Sequence, residues 1–211
     1  MAFGLATREA LRMADIAQDM YEKSIKVIVK LSPALLEKVE GMDDQLDLLD
    51  KEIKLYITKV SQKVLTEVES KREIAILTLV NDLENIGDII DKNIMELAKK
   101  MIDQGLRFSA EGQKEIIDFH AKVGDNFEMA VTAFATSDTD LAWKVLKNKE
   151  KLGNMERELK TAHIGRLHLG LKESIDTSSV HLDLLSNLKR INHHISNVSY
   201  QIAGISGKGE E

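Results

Sequence analysis

Leu79-Val-Asn-Asp-Leu-Glu-Asn-Ile-Gly-Asp-Ile-Ile-Asp91 places apolar side chains at Leu79, Leu83, Ile86 and Ile90. That spacing lines one face of an α-helix. The same stretch sets two carboxylates, Glu84 and Asp88, one helical turn apart, and residues i and i+4 share a face. Like charges so placed cost roughly 0.2–0.5 kcal/mol unless a cation or a basic side chain offsets the repulsion. Asn81, Asn85 and Asp91 add further oxygen atoms nearby. The helix therefore carries a candidate metal-binding face. A merely solvated acidic face is the competing reading, because acidic side chains normally stay in water.

Outward from this helix the same apolar period recurs, and six amphipathic segments emerge. The first covers about residues 7–40, with Leu11, Ala14, Ala17, Ile25, Ile28 and Leu31 inward, Pro33 kinking or breaking it and Gly41 ending it. The second covers about residues 43–64 and buries Leu46, Leu49, Ile53, Tyr56, Ile57 and Val60. The third begins near Thr66 or Ser70, each followed by Glu three residues on as in a capping box, and stops at Asp103-Gln-Gly105. The fourth, fifth and sixth cover about residues 110–135, 139–167 and 172–203, and the residues from 204 onward read as a frayed end.

Composition supports an all-α reading: 211 residues hold one Pro, 12 Gly and 4% aromatics, leaving little material for strands and turns. A formal net charge of −6 argues against the basic footprint of a nucleic-acid binder. With no Cys there is no disulfide, no thiolate metal site and no cysteine nucleophile. No apolar run reaches the ~18 residues of a spanning helix, and the start lacks the pattern of a signal peptide. The expected location is the cytoplasm.

A shift of 105 residues lays Leu79, Leu83 and Ile86 on Leu184, Leu188 and Ile191, and a shift of 106 lays Leu46 and Ile53 on Leu152 and Leu159. This internal repeat predicts two tandem three-helix bundles, residues 1–105 and 106–211, placed end to end with spectrin-like packing in one compact or elongated two-repeat domain. If the second and third helices turn near residue 65, residue i lies level with residue 131−i. Asp47 then faces Glu84, and Asp43 faces Asp88, near enough for at least three carboxylates to reach one ion. These carboxylates would repel and take up protons without a counter-ion, and the nearby Lys and Arg look too sparse to supply one.

The first histidine is His120, so the face offers oxygen ligands alone. Such a set suits Mg, Ca, Mn or oxidised Fe better than Zn or Cu. Glu-x-x-His pairs of a di-iron enzyme, a Gly-rich phosphate loop, His-Glu-x-x-His and Gly-x-Ser-x-Gly are all missing, and the chain carries no positive sign of catalysis.

The run Asn81-Asp-Leu-Glu-Asn-Ile-Gly-Asp88 resembles the Glu(Asp)-x-x-x-Asp signature of the PhoU family of phosphate-uptake regulators. Ser178-Ser-Val-His-Leu-Asp-Leu-Leu185, followed by Leu188-Lys-Arg-Ile-Asn192, is similar to the second PhoU copy in the cytosolic C-terminal domain of bacterial sodium/phosphate cotransporters. The resemblance spans the chain and implies two three-helix bundles with metal clusters on acidic patches. By it Glu84 and Asp88 become metal ligands, with Asp43 or Asp44 and Asp47 as partners on the preceding helix. It further implies a regulator, not an enzyme, acting on a phosphate transporter, on its membrane portion at the inner face, or on a signalling protein. A metal-free helical scaffold and a metal-carboxylate enzyme are the alternatives, and homo-oligomers stay open. So does the choice between a freestanding chain and a piece of a longer membrane protein.

The second copy departs from the pattern. Lys149, Gly153, Lys189 and His193 stand opposite the first-copy acids, so a second site of the same kind is not expected. His163, His168, His193 and His194 lack ligand spacing and read as packing or surface residues, while His181 aligns with core position Ile76 and should be buried or partly buried. Ser178 and Ser179 read as turn or helix-start residues.

Overall fold

The computed structural model describes residues 2–62 and 64–204; the expected frayed end, residues 205–211, lies outside them. The fold is helical and contains no strand among the described residues. Its helices are α1 (Ala2–Lys30), α2 (Pro33–Val60), α3 (Glu67–Ile89), a π-helical segment (Ile90–Met95), α4 (Glu96–Gln104), α5 (Ala110–Thr136), α6 (Thr139–His168), α7 (Lys172–Asp176) and α8 (Ser178–Ile202).

Local chemistry sets these boundaries. The first break comes at residues 31–32, ahead of the expected stop at Gly41. Leu31 is left-handed at φ 52°, Ser32 is extended and accepts from the Leu35 N–H at 3.3 Å, and Pro33 opens α2, where its missing N–H is no loss. Gly41 is simply an exposed residue inside α2, with no atom near where a Cβ would stand. Thr66 caps α3 through a capping box with Glu69, one of the two expected starts. Gly105, left-handed at φ 63°, ends α4, and the Leu106 N–H closes back on the Met101 carbonyl at 2.9 Å. The expected sixth helix is two pieces: Thr177 interrupts it, its Oγ1 donating to the Glu173 carbonyl at 2.6 Å.

Within each half three long rods pack together: α1, α2 and α3, then α5, α6 and α8. The halves, however, lie side by side, with α3 along α8 and α1 along α5, in place of the expected end-to-end order. The apolar stripes explain this. Buried residues on α1 (Ala10, Met13, Ala14, Ala17, Met20, Tyr21) and on α3 (Ile76, Leu79, Val80, Leu83, Ile86, Ile89) cover more than the seam of one bundle, so each helix buries a second flank against the other half. The result is one continuous hydrophobic core.

Polar ties cross the junction. Tyr21 stacks on His120 at 3.9 Å between centroids, and its hydroxyl donates to the His120 carbonyl at 2.8 Å. Burial, helped by the charge of Asp125, holds this phenol well above its ordinary pKa, so it remains a donor. Asp82 Oδ1 receives Asn197 Nδ2 and meets His194 Nδ1, each at 2.9 Å, and Arg190 donates to Asn93 Oδ1 at 3.1 Å. Tyr21→Phe should cost about 1 kcal/mol in urea unfolding, the net worth of one hydrogen bond. A loss of nothing would show that the hydroxyl does not help to join the halves.

Candidate metal-binding face

The acidic face lies where α2 runs antiparallel to α3, and a glycine brings them close. A Cβ on Gly87 would stand 2.7 Å from Asp43 Oδ1 and 2.7 Å from Leu46 Cδ1. Asp43 is thus set against the backbone of α3 and is only 9% exposed. Its neighbour Asp44 is exposed, so the geometry favours Asp43 of the two. The pairing of residue 87 with 43 and 46 agrees with the register expected from the hairpin.

Electrostatics gather the four expected residues. Burial first, then the charges of Asp91, Asp47 and Asp88, push the Asp43 carboxyl up to about 6, with Lys92 opposing. Glu84 is raised by burial and then by Asp88, Asp50 and Asp47. Asp91 is raised by burial and then chiefly by Glu40. Each raised carboxyl is a group that would rather hold a proton or a cation than a bare charge.

The face is gathered but not closed. Among the described residues no three carboxylate or imidazole groups converge tightly enough to hold an ion as the side chains stand, contrary to the expectation of three within reach of one ion. The reason is local. Asp88 is turned to Lys92 one turn on, Asp50 is paired with Lys54 at 2.6 Å, and Lys99 bridges Glu40 and Glu96 at 2.7 Å each. The expectation that basic residues are too sparse is therefore wrong. The i, i+4 spacings of Asp50–Lys54 and Asp88–Lys92 would have revealed two of these pairs. Both pairs are partly exposed, and such pairs are weak, so an ion could replace the lysines.

The set fits a hard cation: its donors are all carboxylate oxygens, and Gly87 leaves the space that lets Asp43 join them. The π-helical segment starts two residues after Asp88 and carries Asp91 and Lys92, and single π turns recur at functional sites. Two glycine substitutions should separate close approach from helix propensity. Gly41→Ala should stabilise by about 0.5–1 kcal/mol, since Ala is the better helix former and nothing obstructs it. Gly87→Ala should instead lose about 1–2 kcal/mol in denaturant unfolding, because overpacking outweighs that gain where Leu46 is fully buried. Equal stabilisation by both would mean that α2 and α3 do not meet at Gly87.

A profile of the PhoU domain matches residues 10–98 and, a second time, residues 116–202. The chain belongs to the PhoU family. It is 30% identical over its whole length to a candidate inorganic phosphate export protein, YjbB, of Salmonella typhimurium, and covers 39% of that protein. The chain thus spans about two fifths of the length of such relatives. It is 25% identical over 94% of its length to a phosphate-specific transport system accessory protein, PhoU homolog 1, of Thermotoga maritima, covering 84% of it. The crystal structure of PhoU from Pseudomonas aeruginosa has the same fold, with a TM-score of 0.87 at 20% identity over 97% of this chain and 96% of that one.

In this PhoU chain the second copy has changed sign at the corresponding face. Glu156, 2% exposed, takes the place of Asp50 and pairs with Lys160, as Asp50 pairs with Lys54. Lys189, at the position of Glu84, lies 3.5 Å from the same Glu156 carboxylate. Lys149, at the position of Asp43, reaches the Tyr200 hydroxyl at 3.2 Å, and Gly153, at that of Asp47, is bare. Two of the four positions that carry a carboxylate in the first PhoU copy thus carry an ammonium group in the second. Among the described residues no helix is long and apolar enough to cross a membrane.

Proposed function

We propose that this PhoU chain is a regulatory domain that binds a divalent or trivalent metal, Mg, Mn, Ca or Fe, through Asp43, Asp47, Glu84 and Asp88 and controls phosphate transport through a partner. The carrying observation is the Gly87 contact, which seats Asp43, its carboxyl pushed up to about 6, among Asp47, Asp88 and Asp91 on a face of like charge. A bound cation supplies the positive charge that these carboxyls lack. The residues themselves bind and orient: Asp43 is fixed by packing, while Asp47, Glu84 and Asp88 are free enough to turn toward an ion. Lys92 would leave Asp88 as the ion arrives. The partner in this reading is a phosphate transporter or its membrane portion, met at the cytoplasmic face of the membrane. The kinship with longer export proteins and with transport accessory proteins supports it.

The test is thermal and chemical unfolding with and without manganese or magnesium. An ion that binds only the folded state adds RT ln(1 + [L]/Kd), about 2.7 kcal/mol at a hundred times Kd. Glu84→Gln with Asp88→Asn should abolish this increment and leave the metal-free protein as stable or slightly more so, because like charges are removed. Replacing Lys189 and His193 should leave the response intact. Affinity should fall as pH drops through about 6, where a proton competes for Asp43. A full metal increment in the double variant would place the site elsewhere.

A further inference from the structure

The repeat puts two histidines where the first copy has isoleucines. At the offsets that align the core, His163 falls on Ile57 and His181 on Ile76, and both isoleucines are buried. The two imidazoles are each 1% exposed and lie face to face, with centroids 4.4 Å apart and planes 11° from parallel. Phe108 meets His181 edge-on at 5.8 Å. Isoleucines there would fill the core with no polar atom to satisfy, whereas buried imidazoles require partners.

The polar contacts around the pair hold one end of the second bundle together. His163 Nε2 lies 2.9 Å from Ser178 Oγ, which ties α6 to the first residue of α8. Ser174 Oγ donates to Ser109 Oγ at 3.3 Å, which ties α7 to the residue that caps α5. Glu115 of α5 grips Arg166 of α6 through two 2.7 Å bonds, and His181 Nε2 stands 3.6 Å from the same carboxylate. His163 Nδ1, both ring nitrogens of His181 and Arg166 Nε have no hydrogen-bond partner among the described residues. The charged groups facing the pair are thus Glu115 and Arg166, while α7, α8 and the turn before α5 contribute the neutral Ser174, Ser178, Phe108 and Ser109.

We infer that the stacked His163–His181 pair is a proton-operated latch, which holds α7 and the first turn of α8 against α6 while both rings are neutral and lets them open when either ring is protonated. Glu115 is the nearest counter-charge, and it is already held by Arg166. A proton on His181 makes imidazolium and guanidinium compete for one carboxylate, and the loser is a buried unpaired cation. Opening returns that charge to water. Leu169, Leu171 and Ile175 beside the segment are exposed, so Val180 is the main apolar side chain that the motion must release, along with the buried Ser174 and Thr177. Consistent with this, burial and then the neighbouring His163 and Arg166 push His181 down to about 3, with the Gly112 backbone opposing, and burial with Arg166 lowers His163, with Glu115 opposing.

Hydrogen exchange of the full chain at pH 7.5 and 5.5, corrected for the intrinsic rate, tests the latch. A freed histidine takes its proton near pH 6.5, so each ring that is neutral only when closed raises the opening constant about tenfold over this interval. Two rings raise it up to about a hundredfold, and amides 172–181 should lose protection by 10- to 100-fold. His163→Ile with His181→Ile, the pair found in the first copy, should keep its protection at both pH values. Unchanged protection in the wild type, or the same loss in the double variant, overturns the proposal. Should the double variant not fold, the imidazole resonances of the wild type decide. Rings still neutral at pH 5.5 in the closed protein, together with lost protection, uphold the latch; titration near 6.5 without lost protection overturns it.

Discussion

Replacing Tyr21 with Ala should remove about 3–5 kcal/mol of stability, the usual cost of deleting a buried aromatic ring. Tyr21 is only 2% exposed and stands between the halves. Its ring stacks on His120, meets Phe127 edge-on at 6.3 Å between centroids and lies 3.4 Å from where a Cβ on Gly124 would stand. Deletion would leave a cavity lined by both α1 and α5, and the His120 carbonyl would lose its second donor, the Tyr21 hydroxyl. Because the core is continuous across the halves, the loss should appear in one cooperative urea transition with an unchanged slope. Two resolved transitions would show that α1 and α5 join independently folding bundles. A loss below 1 kcal/mol would show that the junction repacks around the hole.

The helices were legible because their signals are local. Thr66-Glu-Val-Glu69 is a capping box on paper and in space, and the apolar spacing of residues 76–97 survives in α3, the π-helical segment and α4. The break at residues 31–32 was harder to place: Pro33 signals a helix start as well as a kink, and only the extended Ser32 with its capping bond decides between them. How the halves pack was not legible. A stripe wide enough to bury a second flank against the other half looks, in sequence, like a generous stripe for one bundle.

At the candidate site the register was legible and the partners were not. Counting from one hairpin turn places Asp43 beside Gly87 to within a residue, because two antiparallel rods of equal rise stay level. The role of Gly87 itself required three dimensions, since its meaning is the absence of a Cβ beneath Asp43. Charge bookkeeping failed for a different reason. Lys54, Lys92 and Lys99 each swing over a turn of helix to meet an acid, and a long flexible side chain has no fixed address in a sequence. His181 was expected in the core from its alignment with Ile76, yet nothing linear tells that His163 stacks upon it.

Acidification should act on the two copies in opposite senses. Burial holds His120 down to about 4 and His181 to about 3, so both rings are neutral in the fold while an unfolded chain protonates them near 6.5. Their contribution is therefore present above pH 6.5 and is lost as pH falls below it, at about 1.4 kcal/mol per pH unit per ring. Over the window from 6.5 to 4 this amounts to about 3 kcal/mol for each. Asp43, pushed up to about 6, has the other sign: it takes a proton in the fold before the unfolded chain does, so its repulsive charge disappears and the α2–α3 face gains stability as pH falls from 6 toward 4. Glu84 and Asp91, raised for the same reason, add to that gain. Urea unfolding between pH 7 and 4.5 should show a net loss. His120→Phe, which keeps an aromatic ring against Tyr21, should flatten the slope by about one proton at the expense of the 3.0 Å contact between His120 Nε2 and the Tyr21 carbonyl. Hydrogen exchange should locate the two effects, with amides of α2 and α3 better protected at pH 5 than at 7 and those of α5 and α8 less so. Saturating manganese should erase the acid-side gain in α2 and α3, because the ion has already removed the repulsion that protons would relieve. Uniform loss across all helices, with or without metal, would refute the division of charge between the copies.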